Sequence, residues 1–177
     1  VINYRNKASR AEKLVAEILS DGGQAMAVGA DLTEPLGVAR MVAQIKDSLG
    51  GLDLLILNAS GGMESDMGEG YAMKLNRDAQ VGLLTSALPL MEPGSRVVFV
   101  TSHQAHFIRE VETMPEYVPV ALSKRAGEDA LRGMIDLMSA VGVEFVVVSG
   151  DMIEGTVTAT LLNRANPGVI EARKEQV

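Results

Sequence analysis

Apolar and polar residues along this chain follow two alternating patterns, one typical of buried strands and one typical of amphipathic helices. The runs LLIL (54–57) and VVFV (97–100) contain no polar position, which predicts strands that are covered on both faces of a sheet. Runs of this kind predict strands over 1–4, 24–29, 52–57, 96–101 and 144–149. We expect seven of their residues in the core: Leu54, Ile56, Val98, Phe99, Val100, Val146 and Val147.

Between these strands, apolar residues recur every three or four positions, which predicts helices with one buried face. Helices are expected from Ser9 and Thr33 onwards, over 71–91, 118–141 and 156–164, and from Val169. Ser9 and Glu12 form the S-x-x-E pattern of a capping box at the first helix. Strands that alternate with helical crossovers are typical of a doubly wound, Rossmann-like α/β fold with a parallel sheet. Because no linker or low-complexity segment interrupts the pattern, we predict one domain over 1–177.

The composition of the chain narrows the classes of function. The formal net charge of −7 and the absence of a basic cluster argue against nucleic acid as the main partner, because phosphate binding needs grouped lysines and arginines. The chain has no cysteine, which excludes disulfides, thiolate zinc sites and a cysteine nucleophile, and we predict no metal site. No apolar run reaches the roughly 20 residues of a membrane span. These features predict a cytoplasmic protein without a membrane partner.

Polar and small residues follow the predicted strands at the point where each strand ends. The carboxyl ends of parallel strands meet at one edge of a sheet, where ligands of open α/β folds bind. Residues that are distant in sequence would therefore converge there to form one site. They include Arg5, Asp31, Leu32, Asn58, Ala59, Ser60, Gly61, Ser102 and Gly150.

Six segments resemble, in order, the short-chain dehydrogenase/reductase family. They are ADL (30–32), NASG (58–61), LNRDAQVGLLTSALPLM (75–91), VVFVTS (97–102), SKRAGEDAL (123–131) and VVVSGDMIEGT (146–156). Their order and spacing carry the resemblance. It implies an NAD(P)-dependent oxidoreductase that interconverts a carbonyl and an alcohol by hydride transfer, with a small-molecule substrate.

The resemblance also implies roles for individual residues. Ser102 stands where the family's serine polarises the carbonyl, and Lys124 stands where its lysine lowers the pKa of a tyrosine and holds the ribose. Asn76 stands where the family's central helix carries an asparagine, and we expect it among the catalytic residues. The expected cofactor contacts are Arg5, Asp31, Leu32, Asn58, Ala59, Ser60, Gly61, Lys124 and Gly150. Arg5 favours NADP over NAD, because a basic residue after the second strand suits the 2′-phosphate.

The sequence departs from the family's Tyr-x-x-x-Lys pattern. Val120, which cannot donate a proton, stands four residues before Lys124. The nearest phenol is Tyr117, seven residues before Lys124, which is two turns or about 10 Å along a helix. Pro119 suits the first turn of that helix, so we expect Tyr117 just before it, where its direction is free. Three alternatives remain open: Tyr117 is the proton donor, His103 or His106 replaces it, or the site has no acid. Without an acid, the chain would be a non-catalytic relative that binds a nucleotide or ligand in a regulatory or scaffold role.

The family's glycine-rich phosphate loop lies between its first strand and first helix, and this signature is absent from the 177 residues. We therefore expect the first and last strands of the sheet to be missing from this sequence. A sheet without its central strand would leave buried amides and carbonyls unpaired, at roughly 1–3 kcal/mol each. The sequence is accordingly predicted to be a portion of a longer protein.

The resemblance further implies an assembly of identical subunits, a homodimer or a homotetramer. Helices 71–91 and 118–141 are expected to form the contact between subunits, because small and apolar residues on them suit close helix packing. The residues expected at that contact are Ala79, Leu83, Ala126 and Ala130.

Overall fold

The computed structural model describes residues 1–63, 68, 70–151, 153 and 155–174, and in this part of the chain five strands alternate with helices. The strands are β1 (Ile2–Tyr4), β2 (Ala27–Gly29), β3 (Leu54–Leu57), β4 (Arg96–Ser102) and β5 (Glu144–Gly150). The α-helices are α1 (Ala8–Ser20), α2 (Pro35–Leu49), α3 (Tyr71–Met73), α4 (Ala79–Ala87), α5 (His103–His106), α6 (Val118–Arg132), α7 (Ile135–Ala140), α8 (Val157–Ala165) and α9 (Val169–Lys174). A π-helical turn (Lys74–Asp78) joins α3 to α4, and 3₁₀ turns cover Leu88–Leu90 and Pro115–Tyr117. None of the described helices combines the length and the apolar composition that crossing a membrane requires.

The strands pair in parallel throughout the described residues. β1 pairs with β2, and Ile2 lies opposite Ala27. β4 lies between β3 and β5, so that Arg96 is opposite Leu54 on one side and opposite Glu144 on the other. Parallel strands joined by helical crossovers form the Rossmann-like α/β fold that the sequence predicts, which confirms the fold class.

A cavity of about 550 Å³ is lined by residues from both parallel sheets. Val1, Ile2 and Asn3 line this cavity from the first sheet, and the residues of β3 line it from the second. Among the described residues, no strand bridges β1 and β3. The cavity therefore lies at the position in the sheet for which the sequence analysis expects a further strand.

The main hydrophobic core lies between one face of the three-stranded sheet and the helices α2, α4 and α6. Leu57, Val97 and Phe99 point from the strands into this core and are almost fully buried. Leu84 of α4 and Leu131 of α6 are fully enclosed opposite them. Burial of each such side chain contributes about 1.5–3 kcal/mol, so this interface holds the helices that carry the site onto the sheet.

The prediction that both faces of the sheet are covered is wrong. Phe99 is buried as expected, but Leu54, Ile56 and Val146 are 50%, 55% and 37% exposed. The other three expected core residues are half-buried: Val98, Val100 and Val147. Successive side chains of a strand point to opposite faces, and the helices that form the main core cover the face that carries Phe99. Exposure therefore alternates along the strands although the residues are all apolar.

Three helical segments differ in detail from the sequence expectation. The expected helix over 71–91 is interrupted by the π-helical turn. The expected helix over 118–141 ends at Gly133, a poor helix former, and resumes as α7. The expected capping box is wrong, because α1 begins at Ala8 and Ser9 lies inside it, while Lys7 occupies the N-cap without a side-chain hydrogen bond.

Candidate active site

A cavity of about 580 Å³ lies at the carboxyl ends of β3, β4 and β5. Asn58 lines it after β3, Ser102 at the end of β4 and Gly150 at the end of β5. Tyr117 lines it from the turn before α6, and Lys124 lines it from α6 itself. The fold thus brings together side chains from four separate segments, including the serine and the lysine that the sequence singles out.

Ser102 and Tyr117 form a pair of hydroxyl groups in this cavity. The distance from Ser102 Oγ to the Tyr117 hydroxyl oxygen is 3.2 Å, and either group can be the donor. Ser102 also caps α5, because its Oγ accepts a hydrogen bond of 3.2 Å from the backbone N–H of Ala105. This second bond fixes the direction of the serine hydroxyl at the end of β4.

Burial shifts the pKa of Tyr117 and that of Lys124 in the cavity wall, which also includes Asp151. Tyr117 is 5% exposed, and this desolvation raises the pKa of its phenol, although the hydrogen bond with Ser102 acts in the opposite direction. Burial also lowers the pKa of Lys124, and no charged or hydrogen-bonded partner among the described residues offsets that effect. Tyr117 therefore keeps its proton at neutral pH, while the ammonium form of Lys124 is disfavoured.

Val120 occupies the helical position from which the family's tyrosine would act. It is buried in a second apolar cluster with Tyr117, Ala105 and Ala121, and it also lines the cavity. Tyr117 belongs to the 3₁₀ turn before α6 rather than to the helix. This placement outside the helix lets the phenol reach Ser102 although it precedes Lys124 by two helical turns.

The two histidines each lie near a carboxylate, and the one near His103, Asp151, belongs to the cavity wall. His106 Nδ1 lies 2.9 Å from Glu128 Oε2, and His103 Nδ1 lies 3.9 Å from Asp151 Oδ2. Neither ring is part of the cavity wall. Of the proton donors that the sequence leaves open, Tyr117 is thus the one that the structure places next to Ser102.

Asn76 lies buried in the π-helical turn, and both the nitrogen and the oxygen of its side-chain amide are hydrogen-bonded. Its Nδ2 donates to Gly61 O and to Ser123 Oγ, both at 2.8 Å, and its Oδ1 accepts from Gly61 N at 3.1 Å. Asn76 does not line the cavity, and its expected place among the catalytic residues stays a prediction. It holds the turn at 58–61 against α6, which is a positioning contact.

Two further residues that the sequence analysis missed contribute to this arrangement: Gln80 binds the turn at 58–61, and Gly127 lies against the π-helical turn. Gln80 donates from Nε2 to Ala59 O at 2.9 Å. Gly127 of α6 faces the π-helical turn so closely that a Cβ there would lie 2.0 Å from Asn76 O. The sequence signal for Gln80 is a polar residue in the middle of a largely apolar helix. Nothing in the sequence marks Gly127 as a residue of the site.

A smaller cavity of about 240 Å³ lies beside the first one. Its wall includes Arg5, Asp31, Leu32, Ala59, Ser60 and Tyr71. The guanidinium of Arg5 lies 5.7 Å from the centre of the Tyr71 ring and donates to its hydroxyl. Burial acts to raise the pKa of Asp31, but hydrogen bonds from Thr33 and the charges of Arg5 and Lys74 outweigh it and lower this pKa. The wall of the smaller cavity thus carries the carboxylate of Asp31 and the guanidinium of Arg5.

The two cavities share Ser60, so the turn at 58–61 lies between them. The residues expected to contact a dinucleotide all line one cavity or the other. Among the described residues, three buried side-chain atoms have no hydrogen-bond partner: Thr101 Oγ1, Gln80 Oε1 and Arg125 Nε. Thr101 belongs to the wall of the larger cavity, and so does the half-buried Lys124, which has no charged or hydrogen-bonded partner among the described residues. Unpaired donors of this kind, a hydroxyl-rich wall and a cationic end suit an elongated ligand with ribose and phosphate groups.

The chain is similar in sequence to oxidoreductases. The family model described as short chain dehydrogenase matches residues 1–166. A 1-cyclohexenylcarbonyl-CoA reductase of Streptomyces collinus is 31% identical over 162 residues, which cover 87% of this chain and 55% of that protein. Versicolorin reductase stcU of Emericella nidulans is 28% identical over 138 residues, which cover 75% of this chain and 51% of that protein. The chain spans about half the length of these curated relatives.

Solved structures show the same fold. A short chain dehydrogenase from Burkholderia cenocepacia J2315 in complex with NADP superposes with a TM-score of 0.72 and 27% identity, covering 84% of this chain and 61% of that one. The NADH-dependent reductase A1-R′ complexed with NAD superposes with a TM-score of 0.71 and 21% identity, covering 86% of this chain and 67% of that one. The second likeness, at this identity, concerns the fold alone.

Proposed function

Because the chain belongs to the short-chain dehydrogenase/reductase family, we propose that the protein is an NAD(P)-dependent oxidoreductase that interconverts a carbonyl and an alcohol. One observation carries this proposal. The hydroxyls of Ser102 and Tyr117 lie 3.2 Å apart in the cavity that Lys124 also lines, at the carboxyl edge of the sheet. A non-catalytic binding protein would not need two adjacent hydroxyls and an unpaired lysine in one cavity.

NADP is the cofactor that we propose, with NAD as the alternative. When bound, it supplies the hydride. Asp31, Leu32 and Arg5 would hold its adenosine half in the smaller cavity, and the cationic Arg5 would favour the 2′-phosphate. Asn58 and Lys124 would hold its other half in the larger cavity, where the Lys124 ammonium can donate to ribose hydroxyls.

In carbonyl reduction, two hydroxyls of this chain would act on the carbonyl oxygen. Ser102 would donate a hydrogen bond to it, because its own Oγ is held by the Ala105 amide at the end of β4. Tyr117 would then pass its proton to the same oxygen as negative charge develops there. The raised pKa of Tyr117 keeps that proton in place until the alkoxide, a far stronger base, forms. Asn76 would position the cofactor-side turn through Gly61.

A second substrate class is an unsaturated acyl thioester. The relative from Streptomyces collinus is named for a coenzyme A thioester of a cyclohexenyl acid. The cavity wall next to Ser102 includes apolar residues that suit a ring or an acyl chain. They are Met63, Val120, Val148, Ile153, Leu161 and Leu162. This candidate uses the same residues but a different reacting bond, so a substrate panel separates the two.

We also propose a cytoplasmic location and a homodimer or homotetramer. The absence of cysteine suits a reducing compartment. The exposed side of α6, with Leu122 and the half-buried Ala126 and Ala130, supports an association of identical chains. Both statements extend the family assignment, and the assembly is tested by sedimentation of the full-length protein.

The proposal is tested with the full-length protein. We expect calorimetric titration to detect NADPH binding, and absorbance at the reduced-nicotinamide band to report its oxidation with a ketone or an enoyl thioester from the panel. Ser102→Ala should retain NADPH binding and lose turnover by about 10²-fold or more. Nucleotide binding without turnover on any substrate would favour the non-catalytic alternative, and no nucleotide binding would contradict the proposed oxidoreductase.

A further inference from the structure

Glu128 of α6 is a fully buried carboxylate that the proposed mechanism does not use. Its Oε2 lies 2.9 Å from His106 Nδ1, and its Oε1 accepts a hydrogen bond of 2.8 Å from Arg132 Nε. Burial of a carboxylate costs free energy unless it is paired and hydrogen-bonded, and both oxygens here are paired. A buried charge with two partners restricts the positions of the segments that carry those partners.

The partner of Glu128 is the last residue of α5, the short helix that Ser102 caps. The backbone carbonyl of His106 is held as well, because it accepts a hydrogen bond of 2.7 Å from Arg125 of α6. The opposite end of α5 is linked to the site, since the Ala105 amide donates to Ser102 Oγ. Glu128 and Arg125 therefore hold His106, the last residue of the single-turn helix α5, and Ser102 is the N-cap of that helix.

A second ion pair joins the same two parts of the chain at the surface. Arg109, which follows α5, lies 2.7 Å from Asp129, and Arg125 lies 2.9 Å from the other oxygen of Asp129. The Arg109 side chain is mostly exposed, and exposed ion pairs contribute little. Asp129 is thus a matched neighbour of Glu128: the same helix, the same charge, and no contact with the His106 ring.

We propose that Glu128 is a positioning residue for the hydroxyl pair. Through His106 it holds α5 against α6, so that Ser102 Oγ stays within hydrogen-bond distance of the Tyr117 hydroxyl. α6 begins directly after Tyr117, so one helix sets the position of both hydroxyls. Glu128 itself does not line the cavity and touches neither hydroxyl. The proposal rests on the proposed function only where it predicts turnover.

The test compares Glu128→Ala, Glu128→Gln and Asp129→Ala. Amide hydrogen exchange at Ala105, followed by NMR, reports the capping bond to Ser102 without any reaction. We expect Glu128→Ala to speed this exchange by about tenfold, because the local opening of α5 becomes easier. We expect it to lower kcat by about tenfold while the Kd for NADPH stays within about twofold.

Glu128→Gln should restore both quantities to within about threefold of wild type. Glutamine keeps the length of the side chain, and its amide can accept from Arg132 and donate to the other tautomer of His106. Asp129→Ala should have a smaller effect than Glu128→Ala, because it loosens Arg109 and Arg125 but leaves the His106 ring bound to Glu128. Unchanged exchange at Ala105 in Glu128→Ala, or an equal effect of Asp129→Ala, would overturn the proposal.

If Glu128→Ala does not fold, His106→Ala breaks the same link from a partly exposed residue, and the same rise in Ala105 exchange is expected. A wild-type exchange rate in that variant would also overturn the proposal. The failure of the proposed function is recognised separately. It would leave Ser102→Ala with wild-type turnover, or wild type without turnover, while the exchange at Ala105 still depends on Glu128.

Discussion

At the scale of single residues, burial determines the protonation state of the cavity. Burial raises the pKa of Tyr117 and lowers the pKa of Lys124, because in both cases desolvation disfavours the charged form. The phenol thus stays a donor, and the lysine carries its charge at a cost to folding. This cost is the expected consequence of a residue placed for a ligand rather than for stability.

Tyr117→Phe is expected to lower kcat by about 10²-fold or more, because a general acid contributes about 10²–10⁴. The Kd for NADPH should stay nearly unchanged, since the phenol belongs to the serine side of the cavity. Steady-state kinetics and calorimetry measure the two quantities. Tyr4→Phe, which removes a phenol of the smaller cavity and not of the larger one, is the control for turnover alone. Wild-type turnover in Tyr117→Phe would exclude the phenol as the donor.

Lys124→Met is expected to abolish turnover and to raise the free energy of unfolding at neutral pH. The lowered pKa of Lys124 means that its charged form is less stable in the folded state than in the unfolded state. This penalty is fully present below the folded pKa and disappears above the unfolded pKa of about 10.4.

The advantage of Lys124→Met should therefore shrink as the pH rises towards about 10. Thermal unfolding of both proteins between neutral and alkaline pH measures this difference. Lys13→Met, at an exposed lysine of α1, should show no such trend. A constant difference across the pH range would contradict the role of burial at Lys124.

At the scale of elements, the contact between the π-helical turn and α6 determines the shape of the site. A π-helical turn widens the helix at Asn76 and brings its side chain to Gly61 and Ser123. The absence of a side chain at Gly127 allows the backbone of this turn to approach α6. The cofactor-side turn and the helix that carries Lys124 are thereby joined.

Gly127→Ala is expected to destabilise the protein by about 1–3 kcal/mol, because its Cβ would lie 2.0 Å from Asn76 O and the two segments must separate. NADPH binding should weaken as well, since Asn76 would release Gly61. Gly82→Ala in α4 is the matched control. Nothing lies within 4 Å of its Cβ, so it should gain about 0.4–1 kcal/mol. Urea denaturation measures both, and equal signs for the two variants would contradict this account.

At the scale of the whole molecule, the two faces of the sheet differ. One face is covered by α2, α4 and α6, and the other exposes apolar residues of β3 and β5 such as Ile56 and Val148. On the helical side, Ala79 and Leu83 were expected at a contact between subunits, but both are buried inside the chain. That part of the prediction is wrong, because α4 is packed on the core with its apolar side chains.

The exposed apolar residues of α6 lead to a prediction about assembly. Leu122, Ala126 and Ala130 follow one another at intervals of four residues, so they share one face of α6. We expect the full-length protein to sediment as a dimer or tetramer, and Leu122→Glu to shift it to monomer. Leu36→Glu, at an exposed leucine of α2, should leave the assembly unchanged. A wild-type monomer at micromolar concentration would remove this prediction.

The sequence by itself determined the alternation of strands and helices, the parallel sheet and the strand-end residues that line the two cavities. These follow from apolar periodicity and from turn residues, which are local properties of consecutive residues. Local patterns also located the strands LLIL and VVFV, but they could not state which face is covered. That depends on how many helices pack on the sheet, and the same apolar run is compatible with one face or with two.

Only the tertiary structure decided which phenol meets Ser102, where Asn76 points and what pairs with Glu128. The hydrogen bonds concerned join residues 15, 47 and 22 positions apart. The sequence places Tyr117 just before the helix that Pro119 begins, which leaves the direction of its side chain open. The chain enters α6 through a 3₁₀ turn, and the direction of a side chain before a helix depends on the contacts that the folded chain supplies. Packing between distant segments, which no local period encodes, therefore determined the chemistry of the site.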